Sequence, residues 1–82
     1  MSHYDHYSVA KDIARRLAEA GHPDWKERLE DAMAAGATGT EICMALRWNL
    51  RNLLRSKIKI DTETRAQVNE LISKLNSALK WK

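Results

Sequence analysis

Apolar residues recur every three or four positions along most of this chain, the spacing of one face of an α-helix. Val9, Ile13 and Leu17 repeat every fourth residue, and Ala10 and Ala14 widen that stripe with small side chains that let another helix approach. Asp5 precedes the stripe, where a carboxylate can accept from the free amides of a first helical turn. Gly21 follows it, where a left-handed residue commonly ends a helix. The pattern predicts a first helix over about 6–20. A second is predicted over 23–35, with Pro23 at its first position, Asp24 and Glu27 near its start, Trp25, Leu29 and Met33 as its stripe, and Gly36 as its stop. Proline suits a first position because its missing N–H has no partner there. Negative charge suits it because of the helix dipole.

Thr38 and Glu41 have the spacing of a capping box. They open a third predicted helix, about 40–55, with Ile42, Leu46, Leu50 and Leu53 on one side and Cys43 and Leu54 flanking them. The run 56–61 alternates polar and apolar residues without a partner strand. It reads as an extended linker with Ile58 and Ile60 tucked onto the core. Asp61 then caps a fourth helix, about 62–79, whose stripe is Val68, Leu71, Ile72, Leu75, Ala78 and Leu79. Short connections make consecutive helices neighbours in space. The expected fold is all-α: a compact four-helix bundle in one domain spanning 1–82. Parallel-axis and orthogonal arrangements both remain open.

Composition agrees with this pattern. The chain lacks Phe and has one Pro and three Gly, leaving few residues for loops. A domain of 82 residues buries only about 60% of its unfolded surface, which leaves room for a partner or a second copy to add stability. The lone cysteine, Cys43, cannot form an internal disulfide, which fits a reducing compartment. The first residues have no apolar core of a leader and no apolar run approaches the ~18 residues of a membrane helix, so neither a secretory signal nor a membrane span is expected. A soluble cytoplasmic protein without a membrane role is expected.

Net charge is only +3, but residues 37–60 hold five bases and one acid. On the third helix Arg47, Arg51 and Arg55 succeed one another at four-residue steps, with Met44 and Trp48 beside them. Like charges at this spacing cost about 0.2–0.5 kcal/mol per pair, and no acid on the same helix offsets them. Arg, Trp and Met are also enriched where proteins bind one another. Met44, Arg47, Trp48, Arg51 and Arg55 therefore form the expected partner-binding patch. The competing reading covers this helix on two sides. It buries Trp48 and Met44 and pairs the arginines with Glu27, Glu30 and Asp31, or else leaves the arginines as an ordinary solvated row.

The residue pattern shows no catalytic constellation, and neither a metal nor a cofactor is expected. His3 and His6 lack the carboxylate or thiolate company of a zinc site. His22 reads as part of the turn before Pro23, and Cys43 as a small apolar residue without a neighbouring base. Thr38-Gly39-Thr40 lacks the length and lysine of a phosphate-binding loop. The second and third helices could also form a helix-turn-helix, with Arg47 and Arg51 on phosphates or guanine. Glu41 then stands where a recognition helix meets DNA, and the arginines lie in later turns.

Three runs carry a family resemblance: Gly21-His22-Pro23-Asp24-Trp25, then Ala35-Gly36-Ala37-Thr38-Gly39-Thr40-Glu41-Ile42, then Met44-Ala45-Leu46-Arg47-Trp48-Asn49-Leu50. Together they resemble a family of small, uncharacterised bacterial helical domains, over roughly residues 9–60. The resemblance implies a helical fold and no particular activity. By analogy of size and class, the expected role is an immunity protein or antitoxin that occludes a toxin's surface. Proteins that neutralise nucleases are often acidic. This basic chain instead suits a toxin with an acidic surface, or one that is not a nuclease. A small nucleic-acid-binding regulator is the alternative.

Overall fold

The computed structural model describes residues 5–35 and 38–79. It is an all-α four-helix bundle: α1 (His6–Glu19), α2 (Pro23–Ala35), α3 (Gly39–Arg55) and α4 (Thr62–Ala78). Each boundary has a local cause. The Asp5 carboxylate accepts from the backbone amides of Tyr7 and Ser8 at 3.0 and 3.2 Å. At the far end of α1, Gly21 takes a φ of +93°. The Gly21 amide donates to Ala18 at 3.1 Å and the His22 amide to Leu17 at 2.8 Å. These two bonds satisfy carbonyls that a helix end otherwise leaves open. The His22 carbonyl then accepts from the Trp25 amide at 3.1 Å, so His22 turns the chain into α2.

Gly36, the expected stop of α2, lies outside the described residues. Thr38 caps α3 by accepting from the Glu41 amide at 3.2 Å. The Thr38 hydroxyl in turn donates to the Glu41 carboxylate at 3.3 Å. Ser56 ends α3, its amide donating to Asn52 and its hydroxyl to Leu53 at 2.9 and 2.6 Å. Asp61 caps α4 by accepting from the Thr64 amide at 3.4 Å and from the Thr64 hydroxyl. Between them the linker alternates: Ile58 and Ile60 pack on the core while Lys57 and Lys59 are exposed.

The core is drawn from all four helices: Ile13 and Leu17, Trp25 and Leu29, Leu46, Leu50 and Leu53, and Val68, Leu71 and Leu75. α1 packs against α2 and α4, and α3 packs against the same two, so the helices close a ring 31 × 26 × 26 Å in extent. On α2 the buried stripe runs Trp25, Leu29, Ala32, with Met33 half-buried. Eight residues past Trp25, Met33 has rotated about 80° away, whereas Ala32 has rotated only about 20°. On α4 Thr64 joins the buried stripe, while Ala78, expected within it, is exposed.

A polar cluster ties α1 to α4. Asp12 accepts from Gln67 at 3.0 Å, from Arg16 at 3.2 Å and from Arg15. Arg16 also reaches Glu63 at 2.7 Å. Gln67, Arg15 and Arg16, in that order of effect, hold the Asp12 carboxyl well below the usual carboxylate range. Among the described residues, no helix is long and apolar enough to cross a membrane.

Candidate functional site

Helix α3 is anchored on one side and bare on the other. Leu46, Leu50 and Leu53 are fully buried, and the flanking Ile42, Cys43, Ala45 and Leu54 pack on the core. Ring closure by α2 and α4 covers the flanks of α3 and leaves the side opposite its leucines uncovered. On that side Trp48 is 66% exposed and Met44 47% exposed, the two largest values among the exposed large apolar side chains of the described residues. Glu41, Arg51 and Arg55 are exposed as well. Read along the helix, the bare face is Glu41, Met44, Trp48, Arg51, Arg55: an acid, two apolar residues, then two bases.

The structure thus brings together four of the five residues expected in the patch. Arg47 departs from them. It is half-buried, and its guanidinium donates to the Asn76 side chain on α4. The reason is geometric. Residues four apart on a helix advance by about 40°, so Arg47, Arg51 and Arg55 form a slanted row. That row begins at the α4 border and ends facing solvent.

An enclosed α3 whose arginines face the acids of α2 does not describe this arrangement, whereas a solvated arginine row is compatible with the exposed Arg51 and Arg55. Glu30 pairs with Lys26 within α2, at 3.7 Å. Arg51 and Arg55 have no ion pair or hydrogen bond among the described residues. An indole is mostly apolar surface, and two unpaired guanidinium groups offer up to ten N–H donors to whatever approaches. This face can therefore bury apolar area and bind carboxylates in one docking event.

Glu41 belongs to the same face, although the sequence marked it as a capping residue and as an acid at the start of a possible recognition helix, and not as part of the patch. The signal was the 3-4-3-4 spacing of positions 41, 44, 48, 51 and 55, which keeps side chains on one seam of a helix.

A second concavity lies where α1, α2 and α3 meet. It is an open groove of about 690 Å³ lined by Tyr7, Lys11, Glu30, Met33, Ala34 and Ile42. Its floor is mainly apolar. Among the described residues, Glu30 is the one carboxylate lining it, so it holds no acid–base pair, and neither His22 nor Cys43 lines it. Partial burial pushes the Cys43 thiol above its usual range, which disfavours the reactive thiolate. Among the described residues, no group of three or more His, Cys, Asp or Glu side chains is placed to hold a metal ion. His3 lies outside the described residues.

Comparisons with protein-family models, with curated proteins and with solved structures find no match to this chain.

Proposed function

We propose that this chain is a non-catalytic protein-binding module that docks through the bare face of α3. The observation that carries the reading is Trp48, an indole that stands two-thirds in solvent on α3. Isolated exposed apolar residues are ordinary on protein surfaces. Here the indole adjoins an exposed methionine and two unpaired arginines on one helical seam. Trp and Arg are the side chains that most often dominate binding energy. Burying the indole contributes about 1.5–3 kcal/mol, and pairing the guanidinium groups with carboxylates adds selectivity and association rate. The partner surface this face suits is an apolar socket rimmed by acids.

The specific form proposed is an immunity protein or antitoxin that works by occlusion, covering the working surface of a toxin in the cytoplasm. Its support is the chain's size, its helical class and the lone unpaired cysteine. The test uses proteins encoded beside this chain's gene, purified and titrated calorimetrically against wild type and against Arg51→Glu with Arg55→Glu. A neighbour that binds wild type and loses affinity at least about tenfold on charge reversal supports the reading. Binding of equal strength to both removes the face. Affinity for duplex DNA that falls steeply with added salt would replace the reading with a nucleic-acid regulator.

A further inference from the structure

The bare face of α3 is self-complementary. Measured from position 46, Met44 and Trp48 stand two residues to either side, and Glu41 and Arg51 stand five residues to either side. At a rise of 1.5 Å per residue, Glu41 and Arg51 each lie about 7.5 Å from that midpoint, in opposite directions. A two-fold axis through the midpoint, with two α3 helices antiparallel, sets each Glu41 opposite Arg51 of the second copy. The same axis sets each Trp48 opposite the other copy's Met44. A two-fold interface demands that one patch match itself, and this order of charges does so at both ends at once.

We infer that two copies of this chain pair antiparallel through α3, with Met44 and Trp48 of both at the centre and a Glu41–Arg51 contact at each end. The inference rests on the docking face proposed above. It makes self-pairing and partner docking mutually exclusive, because both cover Trp48.

The remaining chemistry is compatible with the pairing. The spacing of the face is that of a helix–helix seam, and α2 and α4 leave this side of α3 open. Methionine sulfur against an aromatic ring is a favourable contact. Arg55 lies nine residues from the midpoint, about 13.5 Å from the axis. The two Arg55 groups then stand about 27 Å apart, well beyond the screening length of about 8–10 Å at ordinary salt. Their repulsion does not oppose the pair. One helix per subunit is a small interface, at the low end of the size range where association is weak and transient.

The experiment is sedimentation equilibrium on the full chain, with Glu41→Arg and Arg51→Glu prepared separately. Glu41→Arg makes all four end positions of a pair basic, and Arg51→Glu makes all four acidic. Each variant alone should weaken self-association at least about tenfold. Mixed in equal amounts, they should form a heterodimer, because every end contact is again acid against base. Circular dichroism on each variant checks that the helices remain folded. A wild-type chain that stays monomeric at about 500 µM overturns the inference. So do single variants that dimerise like wild type, or variants that are monomeric alone and fail to pair when mixed. The readout is the mass of the isolated chain, so it stands apart from the affinity that tests the docking face. A monomeric wild type that still loses its partner on charge reversal at Arg51 and Arg55 overturns self-pairing and leaves docking in place.

Discussion

Single side chains in this protein are set by their neighbours in ways that differ in how far the sequence reveals them. Gly21 is at the legible end. It sits where the first stripe stops, and its φ of +93° is the left-handed value that an L side chain adopts at a cost. A Cβ built there meets nothing within 4 Å, so Gly21→Ala isolates the backbone term. It should destabilise by about 1–2 kcal/mol, read as a lower urea midpoint with an unchanged slope. Asp12 is at the other end. Its local pairing with Arg16 follows from a four-residue step, but its bond to Gln67 spans 55 positions and leaves no trace in local spacing. That carboxyl is held below its usual range, so its sign is that of a depressed acid. Its stabilising contribution is complete above the unfolded value, about 3.9. It is lost as pH falls through the folded value, because in that window the unfolded chain binds more protons. Asp12→Asn should therefore be less stable than wild type at pH 6, and the gap between their urea midpoints should narrow on acidification. A gap that stays constant down to about pH 2 would detach Asp12 from the acid limb.

Helix ends were the most legible elements, because caps are local chemistry. Asp5, Thr38 and Asp61 each stand before an apolar stripe, and each accepts from an amide of the turn that follows. Thr38→Ala should cost about 0.5–2 kcal/mol, measured by equilibrium denaturation, and should fray the start of α3 in amide exchange before any other helix. The interior of α3 was legible on its buried side, where Leu46, Leu50 and Leu53 fall on one arc. Its outer side was only partly so. A wheel places Arg47, Arg51 and Arg55 in one sector, but which neighbour reaches the edge of that sector depends on tertiary packing. Asn76 of α4 reaches Arg47 and not the others. Whether Trp48 faces solvent likewise depends on how the remaining helices close, which periodicity within α3 cannot state.

At the scale of the whole molecule, the ring of contacts among the four helices decides what is left bare. α2 and α4 take the flanks of α3, α1 completes the ring, and the outer face of α3 contributes nothing to the core. Folding and docking are thereby separable. Trp48→Ala should leave the unfolding free energy within about 0.5 kcal/mol of wild type while weakening partner binding by about 2 kcal/mol or more. A large loss of thermal stability in that variant would mean that the indole serves the fold. The contrast between Trp25, 6% exposed, and Trp48, 66% exposed, also supplies an optical probe. In a Trp81→Phe background the chain carries one indole in an apolar setting and one in water. Acrylamide should quench the second and spare the first. Anything that covers α3 should shift the emission to shorter wavelength and shield Trp48 from the quencher, so each encounter with a bound surface announces itself without a label.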